Sequence, residues 1–182
     1  HPLLQILKGP KFNSLFRRLD KIDLTVEALR SMEFSELKAI LRNDQDAHDA
    51  SNAAKRFPVI ELDANYQPMS DEIISIQVEV AFQFSWDKSC VHETEHFWLF
   101  IQDVEGENMY SAQDIAIDRR IAKDGLQVQV LVPLPQSQAY KISMTSVRYL
   151  GVEDSQQLNV TDGDKITFSR YVSAPPQLRP LY

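Results

Sequence analysis

Residues 74–86 read ISIQVEVAFQFSW, and the apolar side chains Ile74, Ile76, Val78, Val80, Phe82, Phe84 and Trp86 fall on every second position. Ser75, Gln77, Glu79, Gln83 and Ser85 stand among the positions between them. A period of two puts one face of an extended chain into a core and the other into water. At ~3.3 Å per residue the stretch would run roughly 40 Å, so the spacing predicts a bend or bulge part-way.

The same alternation continues on both sides. Val59–Leu62 reads as a shorter strand, set off by a turn at Gln67–Ser70. Phe97–Val104 follows, closed by a turn at Glu105–Asn108, and then Met109-Tyr110 and Ile115–Ile117. Leu126, Val128, Val130 and Val132 alternate again, as do Tyr140, Ile142, Met144 and Ser146; Leu158–Val160 and Ile166–Phe168 complete the pattern. About seven short strands with regular turns predict an antiparallel sandwich of the immunoglobulin-like or fibronectin-III-like kind. Cys90 is the single cysteine, which excludes the inter-sheet disulfide of a true immunoglobulin domain and fits a reducing compartment. Ser173–Tyr182 holds three prolines and reads as an extended tail or linker.

Before residue 57 the period is helical. Phe12, Leu15, Phe16 and Leu19 share one helix face, Leu24–Met32 forms a second helix with Asp23 as its expected cap, and Ser35–Arg42 a third. A fourth, alanine-rich helix over Asp46–Lys55 stops before Phe57-Pro58, where the residue preceding proline is pushed out of the helical region. Four short helices bury little surface alone, so this bundle is expected to dock on something else. The expected organisation is therefore α+β: a helical helix-loop-helix domain at 1–56, a β-sandwich at 57–172 and a tail at 173–182.

Charge divides at the same place. The chain of 182 residues has a net charge of −7, with ten Lys/Arg against eight Asp/Glu in residues 1–56 and nine against eighteen in 57–182. An acidic surface repels phosphate, so any nucleic-acid contact is expected in the first third. The candidate residues are Lys8, Lys11, Arg17, Arg18, Lys21, Lys38 and Arg42. No apolar run approaches the ~20 residues of a membrane helix, so no membrane partner is expected. The first residue is His1, which suggests a fragment or processed chain.

Residues 92–96 read HETEH, the H-E-x-x-H pattern of zinc hydrolases. That chemistry requires a helix, on which the two histidines stand ~6 Å apart; on a strand they are ~13 Å apart and cannot share one zinc. The flanking segments alternate, so the pattern reads as a loop between strands, with neither metal nor cofactor expected. No G-x-S-x-G elbow, no P-loop and no G-x-G-x-x-G is present, and the sequence does not point to an enzyme.

Four segments in order carry a resemblance. FSWDKSCVHETEHFWLFIQD (84–103) is similar to an "F-x-W-x…H-G…E-x-F/W-W-I-x-V-E-D" signature, and VPLPQSQAYKISMTSVRYLG (132–151) to "P-L-P-x-Q-Y-x-I-R-x-x-S-D-R-W-L-G". RFPVIELDANYQPMS (56–70) resembles "x-F-P-x-L-E-L-x-x-x-x-Q-P-I-T", and HPLLQI (1–6) resembles "N/H-P-L-R-Q-F". Together these resemble the Sec-sixty-three-type unit that closes the helicase cassettes of large spliceosomal RNA helicases. The U5-particle helicase that unwinds the U4/U6 duplex and its cytoplasmic activating signal cointegrator relative fit best.

The resemblance implies a non-catalytic accessory module of a DExH-type, ATP-dependent RNA helicase acting in pre-mRNA splicing in the nucleus. Its implied partners are the motor domains of the parent chain, spliceosomal proteins and single-stranded RNA. The alternative it leaves is a pure protein-interaction platform in the cytoplasmic, ribosome-associated relative. Asp44–Ser51 carries three acids where the family has basic and glycine residues, an exchange expected to weaken phosphate binding.

Overall fold

The structure is a computed structural model that describes residues 1–70, 72–84, 86, 94–133 and 139–160. The expected strand at Ile166–Phe168 and the tail at 173–182 lie outside the described residues. Helices come first and antiparallel sheets follow, an α+β organisation. Among the described residues no helix is long and apolar enough to cross a membrane.

Two short 3₁₀ turns, Pro2–Gln5 and Pro10–Phe12, lead into α1 (Asn13–Lys21), α2 (Val26–Ser31), α3 (Phe34–Leu41) and α4 (Asp44–Arg56). Helix α1 buries Leu15, Phe16 and Leu19, the face its spacing predicts. Thr25 caps α2 by accepting from the Ala28 N–H, whereas Asp23, the expected cap, takes a positive φ in the preceding turn. A hydroxyl directly before the first helical residue reaches the orphan amide, and an aspartate two positions earlier does not. Arg42 ends α3 in the left-handed conformation, and the Asn43 side chain then caps α4 through the Gln45 and Asp46 N–H groups. Ala47, Ala50, Ala53 and Ala54 are fully buried, and their small side chains let α2 and α3 pack closely on α4.

Seven strands among the described residues form two sheets. One has the order β1 (Ile60–Pro68), β2 (Ile73–Phe82), β5 (Leu126–Pro133). The other has the order β4 (Met109–Ile117), β3 (Glu95–Asp103), β6 (Ala139–Ser146), β7 (Glu153–Asn159). Ile74, Ile76, Val78 and Val80 on β2 are all buried, and they pair in register with Val132, Val130, Val128 and Leu126 on β5. Phe97, Leu99 and Ile101 on β3 and Tyr140, Ile142 and Met144 on β6 supply the opposing layer. The Phe82 and Phe97 rings meet edge-on at 5.7 Å across the two sheets.

Strand β2 stops at Phe82 although the alternation runs to Trp86. Its neighbours end there: Ile60, the first residue of β1, pairs with Phe82, and Leu126, the first of β5, pairs with Val80. The irregularity expected within β2 falls instead on β3, where the register with β4 shifts between Ile101 and Gln102. A six-residue helix, α5 (Arg119–Asp124), stands between β4 and β5, capped by Asp118. It is too short for its periodicity to show in the sequence. Buried apolar residues of helices and sheets form one continuous cluster, so the bundle docks on the sheets of its own chain.

Candidate functional site at the joint between helices and sheets

The turn after β6, Val147–Val152, is built by local hydrogen bonds. Ser146 Oγ accepts from the N–H groups of Arg148 (3.2 Å) and Tyr149 (3.0 Å), and the Ser146 N–H returns to the Val152 carbonyl at 2.8 Å. Gly151 takes φ 78°, which a residue with a Cβ rarely adopts, and this fixes a glycine at that position.

Arg148, Tyr149 and Leu150 of this turn each reach a different part of the chain. Arg148 Nη1 donates to Glu95 Oε1 at 2.7 Å, and Glu95 is buried at 3% exposure. Tyr149 is buried with its ring edge-on to Phe57 at 5.9 Å, beside the proline that follows α4. Leu150 is held by its backbone: Gln5 Nε2 donates to its carbonyl at 3.0 Å, and its N–H donates to Gln5 Oε1 at 2.8 Å. The leucine side chain is left 82% exposed.

Arg30 makes the second tie. From α2 its guanidinium donates to the carbonyls of Phe57 at 3.0 Å and Gln83 at 2.5 Å, joining helix, linker and the end of β2. Burial works against its charge and nearby Glu27 supports it, leaving the Arg30 pKa below its ordinary value. At the chain's start the His1 ring Nε2 lies 2.7 Å from the Leu24 carbonyl.

The seven candidate cations fall into two groups. Lys8 precedes the second 3₁₀ turn and Lys11 lies within it, and Arg17 and Lys21 lie four residues apart on the exposed side of α1; all are exposed. The Lys11 ammonium sits 4.6 Å from the Phe12 ring centroid. The others gather where α3 meets α4. Arg18 donates to the Leu41 carbonyl and to Asp46 Oδ2, both at 2.9 Å, and Lys38 pairs with Asp44 at 2.9 Å. Arg42 follows Leu41 directly, exposed at the turn. The acids of residues 44–51 thus engage two of the seven cations.

His96 stands on β3, not on a helix, and its Nδ1 lies 2.9 Å from Asp114 Oδ1 on β4. Its partner in the zinc-like pattern, His92, lies with Cys90 outside the described residues. Of the residues in HETEH, Glu95 has the role the pattern did not suggest, as the buried anchor for Arg148. Gln5 and Tyr149 were visible in the sequence only as members of motifs. Arg30 carried no signal beyond a cation beside the apolar Val26 and Leu29.

A helical bundle tied to a pair of antiparallel sheets through this turn and through Arg30 defines a two-part α+β module, and the turn joins all four sequence motifs. The chain belongs to the Sec63 Brl domain family, whose model matches residues 11–159. It is 24% identical over 155 residues to the U5 small nuclear ribonucleoprotein 200 kDa helicase of Caenorhabditis elegans, covering 84% of this chain. It is 24% identical over 147 residues to activating signal cointegrator 1 complex subunit 3 of Dictyostelium discoideum, covering 79%. Pre-mRNA-splicing factor brr2 of Schizosaccharomyces pombe is 24% identical over 151 residues, covering 82%. The match spans 7% of the length of each of these relatives.

Proposed function

We propose that the chain is a non-catalytic accessory module of a DExH-type RNA helicase acting in pre-mRNA splicing in the nucleus. In this reading it braces the motor domains of its parent chain during U4/U6 unwinding, contacts spliceosomal proteins and guides single-stranded RNA along residues 8–42. Residues 1–56 form its helix-loop-helix domain, 57–172 its sandwich and 173–182 a linker. The observation that carries the reading is the convergence of four family motifs on the Arg148–Gly151 turn, a set of contacts between bundle and sheets that supports a bracing role.

The sandwich is of the fibronectin-III-like, immunoglobulin-related kind. Its division into strands 1-2-5 and 4-3-6-7 supports this. So does Tyr140 at the start of β6, whose hydroxyl donates to the Pro133 carbonyl at the end of β5, as in the tyrosine corner of such sandwiches.

The ion pairs Arg18–Asp46 and Lys38–Asp44 favour a second reading, an interaction platform of the activating signal cointegrator type. A fluorescein-labelled single-stranded RNA 12-mer separates the two. Guiding RNA requires binding at about 50 mM salt that weakens as salt rises, and loss of binding in Arg17→Glu/Lys21→Glu. No change in anisotropy in low salt would remove the RNA role and leave the platform.

A further inference from the structure

We infer that the outer edge of β4 is a strand-addition site for an extended peptide carrying Arg or Lys at alternate positions. This goes beyond the bracing role and does not depend on it.

Both sheets have open edges, and they are protected unequally. The β1 edge is capped by β7 side chains: Asp154 Oδ2 accepts the Leu62 N–H at 2.8 Å, and Gln156 both accepts from the Ala64 N–H at 2.5 Å and donates to its carbonyl at 3.3 Å. Strand β4 ends its sheet, and among the described residues no strand pairs with its other side. Its nine residues, MYSAQDIAI, include no proline and no lysine, the usual guards of an exposed edge.

Beside that edge lies an aromatic platform. On the outer face of β3 the Trp98 and Phe100 rings stack at 5.9 Å with 10° between their planes, and Trp98 is 39% exposed. Their cross-strand neighbours are small or polar: Ala112 and Asp114 on β4, Ser143 and Thr145 on β6. An added strand would run along β4 with alternate side chains over Ala112 and Ala116, against the flank of this stack. Of the two remaining edges, β7 lies against β1 through the Asp154 and Gln156 side chains, and β5 has no such platform among the described residues.

Charge selects the occupant. The strand's one ionic residue is Asp114, half-exposed and in register with Trp98. In sequence, residues 57–182, of which β4 is part, carry eighteen acids against nine bases. An arginine of the incoming strand can pair with Asp114 in place of His96 and lie over the Trp98 face. Main-chain hydrogen bonds then supply affinity and the alternate side chains supply selectivity.

The test uses the chain as it stands and three fluorescein-labelled decapeptides: alternating Val-Arg, alternating Val-Glu, and Val-Arg with alternate peptide nitrogens methylated. The Val-Arg peptide is expected to bind and to slow amide exchange along residues 109–117. Binding should weaken about tenfold in Ala112→Lys, which guards the edge, and in Asp114→Arg, with the melting temperature unchanged. Equal binding by the methylated peptide, equal binding by Asp114→Arg, or protection away from β4 would overturn the site. A dimer in sedimentation that excludes the peptide would assign the edge to a second copy instead. No binding by any peptide at millimolar concentration would overturn strand addition altogether.

Discussion

Arg148 closes on Glu95, with Nη1 2.7 Å from a carboxylate oxygen of a residue that opens β3 and is almost wholly buried. The pair locks the turn after β6 onto β3, an inner strand of its sheet, and the same turn holds Gln5 and Phe57. Geometry at this one ion pair therefore bears on how helices and sheets stay together.

Glu95→Ala strands a guanidinium that is one-third exposed, so the cost is less than the 3–5 kcal/mol of a fully buried broken pair. A loss of about 2 kcal/mol is expected in urea unfolding. Arg148→Met, which takes the guanidinium away from a carboxylate that is almost wholly buried, is expected to cost more. A double-mutant cycle showing no coupling would mean the two groups do not stabilise each other.

Gln5→Ala removes both hydrogen bonds to the Leu150 backbone. The expected destabilisation is about 1–2 kcal/mol, because these groups are partly hydrated when released. Hydrogen exchange distinguishes the mechanism: protection should fall in the first 3₁₀ turn and at residues 147–152 and remain unchanged at β2.

Tyr140→Phe removes the hydroxyl that donates to the Pro133 carbonyl, at an expected cost of about 1–2 kcal/mol. Burial, and to a smaller degree Tyr110, pushes the Tyr140 hydroxyl well above its ordinary range. A raised folded pKa gives stability that is complete below the unfolded value and lost as pH rises beyond it. The native chain should therefore weaken above about pH 10, and Tyr140→Phe should lose that part of the alkaline limb. An identical alkaline limb in both proteins would count against the assignment.

Asp103 gives the opposite sign. Burial opposes its ionisation, but the Asn108 side chain at 2.7 Å and backbone N–H groups of the β3–β4 turn, including that of Asn108 at 2.9 Å, outweigh it and hold its carboxyl below the usual range. A depressed folded pKa gives stability present above the unfolded value, about 4, and lost as pH falls through the folded one. Asp103→Asn should flatten this acid limb. Equal acid midpoints for the two proteins would show that another group governs it.

Much of the fold was legible because its signals are local. The alternation of residues 74–80 and the helical spacing of Leu15, Phe16 and Leu19 are statements about neighbours in sequence, and both apolar faces are buried as read, although Ser75 between Ile74 and Ile76 is buried as well. The limits of those elements were less legible. Phe84 and Trp86 keep the strand period, yet a strand ends where its partners end, and partners are set by register. The cap of α2 shifted from Asp23 to Thr25 because two residues of similar chemistry compete and only backbone conformation chooses between them.

Alone, the sequence determined the order of helices before strands, the core faces of those elements and the motifs that place the chain in its family, since each depends on periodicity or on short runs. Only the tertiary structure decided what the motifs are for. Gln5 and Leu150 are 145 positions apart, and Glu95 and Arg148 are 53 apart. No local pattern encodes such pairings, because they arise when two sheets and a bundle pack on one core and bring distant backbone and charge within hydrogen-bond reach.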